Sequence, residues 1–244
     1  MNTPISKTQK LQQEYYTETA KDYDLAHIAM PEDLTKDEHY LGLLFLLSVI
    51  DSLNVTSILD VGAGTGRALS YIKSVRPDIK FVGLEPVEAL REIGYSKGLS
   101  TEELRPGDGN SIDFPDGFFD LVCEFGVLHH VPNSGRVVDE MLRVSKRAIF
   151  ISDSNNFGDG RPTVRFVKQL LNMLGLWRVA DFIKTAGKGY NISEGDGVYY
   201  SYSVYNDYNR VAAVCNRVHV LNTKGLGKSP YRTASHVALL GVKE

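Results

Sequence analysis

The sequence is poor in cysteine. Its only two cysteines, Cys123 and Cys215, lie far apart in apolar surroundings. Such a pair supports neither a disulfide framework nor a metal site built on closely spaced thiolates. We therefore expect both residues to be buried free thiols, as in proteins of a reducing cytoplasm.

Long hydrophobic runs are also missing. The longest apolar stretch covers residues 40–50, and a helix needs roughly 20 apolar residues to span a bilayer. The first sixteen residues, MNTPISKTQKLQQEYY, contain no apolar core of the signal-peptide type. The sequence therefore predicts a cytoplasmic protein without a membrane span.

The chain has no excess of positive charge. Its 244 residues include 27 lysines and arginines against 30 acidic residues, for a formal net charge of −3. Proteins that grip a nucleic-acid backbone usually show a basic face. The charge balance disfavours a nucleic-acid partner, although a local basic patch would still be compatible with it.

What the sequence does contain is a regular alternation of short apolar segments with segments of helical spacing. The predicted strands of the first part are 56–61, 80–84, 104–106, 119–122 and 147–151. The predicted helices are 10–26, 40–50, 67–75, 87–96 and 136–144. This alternation is typical of an α/β protein, in which helices cover both faces of a parallel sheet.

After residue 153 the alternation changes. Two amphipathic helices are predicted at 163–176 and 179–184, followed by a glycine-rich segment and five tyrosines between positions 198 and 208. A helix at 203–215 and strands at 217–221 and 236–242 would complete the fold. We expect one domain over 1–244, with an N-terminal helical lid at about 1–52 and an insert at about 155–202 over the mouth of the site.

A glycine loop, Gly62-Ala63-Gly64-Thr65-Gly66, follows the first predicted strand. In doubly wound sheets, ligands bind outside the carboxyl ends of the strands. Glycine allows close approach of a ligand and positive φ there. The spacing is G-x-G-x-G after Asp60, and it does not fit the dinucleotide pattern G-x-G-x-x-G.

Two acidic positions follow the glycine loop in order. Glu85 ends the second strand, where a carboxylate can accept hydrogen bonds from ribose hydroxyls. Asp108, in the segment Asp108-Gly109-Asn110, follows the third strand and could accept from an adenine amino group. Asp-Gly is also a common turn pair, so a purely structural role for Asp108 remains open.

Three segments together resemble the class I S-adenosylmethionine-dependent methyltransferases, specifically the ubiquinone/menaquinone-biosynthesis type. They are ILDVGAGTGRAL (58–69), FVGLEP (81–86) and GDGNSIDFPDGFFDLVCEFGVLHHVPN (107–133). The resemblance implies a Rossmann-like, doubly wound, seven-stranded sheet, mostly parallel with the last strand antiparallel. It also implies S-adenosylmethionine as cofactor and S-adenosylhomocysteine as product.

The resemblance further implies which residues hold the cofactor. The glycine loop would cradle the methionine part, the acid after the second strand the ribose, and the Asp-containing turn the adenine. Glu124 and Phe125 would line the sulfonium through backbone carbonyls, and Tyr23 would reach the methionine carboxylate. The full set is Tyr23, Gly62, Ala63, Gly64, Gly66, Glu85, Pro86, Asp108, Gly109, Glu124 and Phe125.

Methyl transfer from a sulfonium requires little chemistry from the protein, because the cofactor carries the activated group. Alignment for in-line displacement and exclusion of water matter most. A hydroxyl acceptor would need a base, and His129 or His130 follows the fourth strand at the right edge. These histidines could equally pack or cap, and the tyrosines of 199–208 could either hold a flat or sugar-like acceptor or pack.

Several alternatives are weaker. The residues after the fourth strand, Cys123-Glu124-Phe125-Gly126, do not match the (Asp/Asn)-Pro-Pro-(Tyr/Phe) tetrad of amino-adenine methylation. An RNA or protein methyltransferase and a non-catalytic S-adenosylmethionine-binding module remain as alternatives. The sequence favours a small-molecule acceptor with an oxygen nucleophile, and it leaves the oligomeric state open.

Two further groups of polar residues bear on the acceptor. Asp153, Asn155 and Asn156 suggest a divalent ion, but no partner acid is evident elsewhere, so we expect a metal-free enzyme. Arg161 and Arg165 could bind a phosphate or carboxylate of the acceptor, or could be solvated surface residues.

Overall fold

The computed structural model describes residues 6–24 and 38–243. Part of the predicted N-terminal lid, residues 1–5 and 25–37, therefore lies outside the described residues. The predicted first helix likewise extends to positions 25 and 26, which lie outside them.

A seven-stranded sheet forms the centre of the molecule. Its strands are β1 (Ser57–Val61), β2 (Lys80–Leu84), β3 (Leu104–Arg105), β4 (Phe119–Phe125), β5 (Ser145–Ser154), β8 (Arg217–Lys224) and β9 (His236–Val242). Their order is β3-β2-β1-β4-β5-β9-β8. The first five strands are parallel, and β9 runs antiparallel to both of its neighbours. The predicted fold class is confirmed.

The helices around the sheet follow from the spacing of apolar residues. They are α1 (Lys7–Thr19), α2 (Glu38–Ile50), α3 (Arg67–Val75), α4 (Glu88–Ser96) and α5 (Ser134–Val144). In α3 the predicted apolar side is buried at Ala68, Leu69 and Ile72, whereas Val75 at the helix end is 46% exposed. Because helices cover both faces, the central strands are buried on both sides, as Leu59 and Leu121 show.

Some predicted boundaries were wrong. The first helix ends at Thr19 and continues as a 3-10 turn over Ala20–Asp22. The helix predicted at 203–215 is a 3-10 turn, Val204–Asn206, and a short helix α8, Tyr208–Ala212. The break lies at Asp207, whose backbone is outside the α region and whose buried carboxylate accepts from the Tyr202 hydroxyl.

The segment between β5 and β8 contains two helices and a β-hairpin. The helices are α6 (Pro162–Met173) and α7 (Trp177–Lys184), and the hairpin pairs β6 (Asn191–Ser193) with β7 (Gly197–Tyr199). The sequence predicted the helices but missed the hairpin, because its strands are too short for a period-two pattern. A last short helix, α9 (Pro230–Thr233), precedes β9.

Helix α1 packs against the hairpin through one buried glutamine. The amide of Val198 donates to Gln12 Oε1 at 2.5 Å, and Gln12 Nε2 donates to the carbonyl of Asp196 at 3.0 Å. The hydroxyl of Tyr15 donates to the carbonyl of Glu194 at 2.7 Å. These bonds connect the N-terminal helix to a segment almost 190 residues away.

Within residues 6–24 and 38–243, none of the helices combines the length and the apolar character that crossing a bilayer requires.

Candidate active site

The glycine loop turns sharply between β1 and α3. Gly62, Gly64 and Gly66 have φ values of 76°, 56° and 76°. A Cβ on Gly62 would lie 2.4 Å from Val127 Cγ2, so even alanine would collide there. Positive φ and close packing together require glycine at this position.

Glu85 connects the glycine loop to the end of β2. It is only 5% exposed. Its Oε2 accepts from the amide of Gly64 at 2.9 Å, and its Oε1 accepts from the amide of Val87 at 2.8 Å. Burial raises the pKa of Glu85 to about 7, although the two amides oppose the shift.

Asp108 fulfils the turn role that its sequence suggested. Its Oδ1 accepts from the backbone amide and the side-chain amide of Asn110, both at 2.7 Å. Its Oδ2 lies 3.4 Å from Gln9 Nε2 on helix α1. Together with Glu85, Pro86 and Gly109 it also lines a cavity of about 120 Å³. The two roles proposed for Asp108 are therefore compatible.

A second, larger cavity of about 880 Å³ continues from the first. The residues that line both are Tyr16, Tyr23, Gly62, Phe125, Gly126 and His130. Ala63 lines the larger cavity beside the glycine loop. The two cavities therefore adjoin each other at the carboxyl ends of β1, β2 and β4.

Tyr23 and Glu124 occupy different kinds of position. The hydroxyl of Tyr23 would lie 3.0 Å from a Cβ on Gly64, so Tyr23 packs directly over the loop. Glu124 is fully buried, its Oε2 accepts from the amide of Val127 at 2.8 Å, and burial raises its pKa well above the usual range. The lining of the cavities includes Phe125 but not Glu124.

His129 is held by carboxylates at both ring nitrogens. Its Nδ1 lies 2.7 Å from Asp153 Oδ1, and its Nε2 lies 3.4 Å from Asp196 Oδ2. Burial alone would lower the pKa of His129, but Asp153 and Asp196 outweigh it and raise the pKa to about 10. His129 is thus protonated near neutral pH and is unsuited to accept a proton.

His130 has the opposite character. Its Nδ1 lies 2.7 Å from the carbonyl of Val198, and its Nε2 lies 3.0 Å from the Tyr16 hydroxyl. Gln12 Nε2 also lies 3.1 Å from Nδ1, but the shorter contact is with the carbonyl. A carbonyl only accepts, so Nδ1 carries the proton and the Nε2 lone pair faces the tyrosine. Burial and the charge of His129 lower the pKa of His130. Of the two histidines, His130 is the one that stays neutral.

Asp196 is a site residue that the sequence did not reveal. It lies in the turn between β6 and β7, 3.4 Å from the Nε2 atoms of His129 and His130. The donor atoms of these three residues lie within 4.8 Å of one another, a grouping that could hold a metal ion. The only sequence signal for this turn was its glycine content.

Two lysines line another part of the larger cavity, together with Asp159. Lys168 Nζ donates to the carbonyl and to the side-chain oxygen of Asn156, at 2.7 and 3.1 Å. Lys184 Nζ donates to Ser201 Oγ at 3.0 Å, and both lysines line the cavity. Arg161 and Arg165, considered for this role, are not among the lining residues.

The polar residues at the end of β5 serve mainly to hold the structure. Asp153 is fully buried against His129. The Asn155 side chain donates to the carbonyl of Ala234 at 2.8 Å and is also fully buried. The tyrosines of 199–208 differ in position: Tyr199 and Tyr200 line the cavity, whereas Tyr205 packs against the core.

Comparison with known proteins identifies the central part of the chain. Residues 59–150 match the model of a methyltransferase domain family. Phosphatidylethanolamine N-methyltransferase of Cereibacter sphaeroides is 28% identical over 130 residues, which cover 47% of this chain and 57% of that protein. The chain spans between 34% and 57% of the length of the first relatives that it matches.

Solved structures share the whole fold at low identity. An S-adenosylmethionine-dependent methyltransferase of Thermotoga maritima aligns over 95% of this chain and 99% of that chain, with a TM-score of 0.58 and 16% identity. Magnesium protoporphyrin IX methyltransferase of Synechocystis, with bound S-adenosylhomocysteine, aligns over 97% and 100%, with a TM-score of 0.57 and 14% identity. The predicted resemblance to class I methyltransferases is confirmed at the level of the fold.

Proposed function

We propose that this protein transfers a methyl group from S-adenosylmethionine to a small-molecule acceptor, by in-line displacement at an oxygen nucleophile. The observation that carries the proposal is the pair of adjoining cavities at the sheet edge, which share six lining residues. The glycine loop and Glu85 lie at one end, and His130 faces the continuation. A cofactor and an acceptor can therefore meet within one enclosure.

The predicted cofactor residues support a definite orientation. Glu85 and Asp108, which line the smaller cavity, suit the ribose and the adenine. Gly64, under the Tyr23 hydroxyl, suits the methionine part. The sulfonium would then lie near Phe125, where both cavities meet.

His130 is the better candidate for a base. Its neutral imidazole has a lone pair on Nε2, and an acceptor hydroxyl would take the place of the Tyr16 hydroxyl there. A positioned base contributes about 10²–10⁴ in rate. His130→Asn should therefore lower kcat by at least 100-fold and leave S-adenosylhomocysteine affinity nearly unchanged.

Lys168 and Lys184 support an acceptor that carries an anionic group. Both lysines line the larger cavity. Lys168 donates to the oxygens of Asn156, and Lys184 donates to Ser201 Oγ and lies 3.9 Å from Asp181 Oδ1. The names of the relatives point to different acceptors, a phospholipid in one case and a porphyrin in another. The comparisons thus support S-adenosylmethionine as the methyl donor, whereas the class of acceptor is inferred from the residues that line the cavity.

The covering elements belong to the same proposal. We assign the described parts of the N-terminal segment, 6–24 and 38–52, and the insert at about 155–202 to one enclosing structure within a single domain, because α1 and the hairpin bond to each other. Enclosure excludes water, which methyl transfer requires. A cytoplasmic enzyme acting on small metabolites fits these features.

Calorimetry tests the cofactor claim directly. S-adenosylhomocysteine should bind, NAD should not, and Glu85→Ala should weaken binding at least tenfold. Glu92→Ala, an exposed acid on the neighbouring helix α4, is the control and should bind like the unaltered protein. Failure of S-adenosylhomocysteine to bind would sink the proposal.

Turnover tests the catalytic claim. Release of S-adenosylhomocysteine is measured with a panel of hydroxylated metabolites, with and without a carboxylate or phosphate. Methyl transfer to an anionic acceptor would support both the proposed activity and the role of Lys168 and Lys184 in binding the acceptor. Binding without transfer to any acceptor would instead favour a non-catalytic binding module.

A further inference from the structure

Two histidines and an aspartate converge on one point in the wall of the larger cavity. His129 and His130 come from the turn after β4, and Asp196 comes from the hairpin turn that closes over it. All three line the cavity. We propose that His129, His130 and Asp196 form a binding site for a divalent transition-metal ion.

The spacing of the donor atoms suits such an ion. Each histidine Nε2 lies 3.4 Å from a different oxygen of the Asp196 carboxylate. Ligands about 2.1 Å from a tetrahedral zinc ion lie about 3.4 Å from one another. A charge-assisted N–H···O hydrogen bond is shorter, about 2.7–2.9 Å. Each of the two nitrogen–oxygen pairs is therefore at a ligand-to-ligand distance and is longer than a charge-assisted hydrogen bond.

The groups behind the histidines aim both rings at this point. Asp153 Oδ1 lies 2.7 Å from His129 Nδ1, and the Val198 carbonyl lies 2.7 Å from His130 Nδ1. Metal-binding histidines usually donate their other ring N–H to such a carboxylate or carbonyl. This arrangement leaves Nε2 of each ring as the coordinating atom.

A bound ion would replace one hydrogen bond that His130 makes. The Tyr16 hydroxyl lies 3.0 Å from His130 Nε2, so coordination exchanges that hydrogen bond for a metal bond. In the competing, metal-free arrangement the three residues interact only through hydrogen bonds and charge, and His129 is an imidazolium between Asp153 and Asp196. The two arrangements differ in whether the cluster takes up metal.

Two nitrogens and one carboxylate leave coordination positions open toward the cavity. An acceptor hydroxyl bound there would lose its proton to solvent more readily, because a metal ion lowers the pKa of a coordinated oxygen. In the metal-bound form His130 Nε2 is a ligand, so this activation would replace the base role proposed for His130. This role rests on the proposed function, whereas metal binding itself does not. The site also departs from the expectation of a metal-free enzyme, because Asp196 supplies the partner acid that the sequence did not reveal.

Cobalt and zinc provide the test. The full chain, without a histidine tag and dialysed against a chelator, is titrated with Co²⁺ and followed by its ligand-field absorption, and with Zn²⁺ by calorimetry. We expect one ion per chain. Asp196→Asn should weaken affinity at least 100-fold, and Asp153→Asn should weaken it about 10–100-fold as the loss of a supporting partner.

Glu194→Gln is the matched control, because Glu194 is an exposed acid in the same hairpin turn. It should bind Co²⁺ within threefold of the unaltered protein. Circular dichroism and S-adenosylhomocysteine affinity, measured on the same samples, show that each variant is folded. Absence of stoichiometric binding, or equal affinity in Asp196→Asn and Glu194→Gln, would overturn the site. Metal uptake without cofactor binding would overturn the proposed function alone.

Discussion

Glu85 shows how one buried side chain can make cofactor affinity depend on pH. Its pKa is raised to about 7 by burial, and only the ionised carboxylate is a full acceptor for two ribose hydroxyls. The ionised form should therefore be the one that binds. Below the pKa, each pH unit can cost up to tenfold in affinity.

We expect S-adenosylhomocysteine affinity to rise from pH 5.5 to about 7 and then level off. Calorimetric dissociation constants between pH 5.5 and 8.5 measure this. Glu85→Gln should bind more weakly at every pH and show a flatter profile. An equally steep profile in Glu85→Gln would assign the titration to another group, of which Asp60 is the nearest buried candidate, with a pKa of about 7.

Gly62 and Gly98 allow backbone strain to be separated from collision. Both have positive φ, 76° and 93°, but a Cβ on Gly98 meets nothing within 4 Å. Gly98→Ala should cost about 1–2 kcal/mol, from the left-handed conformation alone. Gly62→Ala should cost about 1–3 kcal/mol more, because the new methyl group overpacks against Val127. Urea unfolding measures both, and equal losses would contradict this account.

At the scale of residues, the sequence revealed those site residues that lie within a recognisable motif. Gly62, Glu85 and Asp108 each follow the carboxyl end of a strand, so their position at a common edge follows from the parallel sheet alone. Asp196 and Gln12 reach the site from distant segments without a motif. Their contribution depends on a tertiary contact between α1 and the hairpin, which local spacing does not encode.

Between elements, the contact of α1 with the hairpin depends strongly on Gln12. This side chain satisfies the Val198 amide and the Asp196 carbonyl while only 6% exposed. Gln12→Ala would leave both backbone groups without these partners, at about 1–3 kcal/mol for a buried unsatisfied group. We expect a loss of that size in urea unfolding, together with weaker Co²⁺ binding.

Glu14→Ala is the control for this helix, since Glu14 is exposed. It should change the free energy of unfolding by less than about 0.5 kcal/mol. A loss in Gln12→Ala no larger than in Glu14→Ala would show that the helix is held mainly by other contacts.

The spacing of apolar residues predicted most helices and strands, because these elements are long enough for their period to be recognised. The failures are short or broken elements. Strands β6 and β7 have three residues each, and the helix predicted at 203–215 is interrupted at Asp207, which prefers its buried bond with Tyr202. In both cases tertiary contacts decided the local structure.

Across the whole molecule, stability should fall from the sheet toward the insert. Strands β4 and β5 are almost entirely buried, whereas no residue of α6 or α7 is buried. Elements with few buried contacts open at low free energy. Hydrogen exchange followed by mass spectrometry should show peptides of α6 and α7 exchanging orders of magnitude faster than peptides of β4 and β5. Comparable protection would mean that the insert is held by contacts beyond those described.

The global topology was predictable to different degrees along the chain. Right-handed crossovers between alternating strands and helices restrict the order of β1 to β5. The antiparallel last strand was implied only by the family resemblance, because nothing in the residues of β9 states its direction. The hydrogen bonds between α1 and the hairpin that follows β5 were not foreseen.

The position of β9 inside the sheet has a consequence for the timing of folding. Strand β9 pairs with β5 on one side and β8 on the other, so that Ser154 meets His236. During synthesis, β5 cannot pair fully with β9 until the ribosome has produced residues up to Val242. Until then it presents an open apolar edge, of the kind that invites misassembly. A nascent chain arrested before residue 236 should therefore depend on chaperones far more than the completed one.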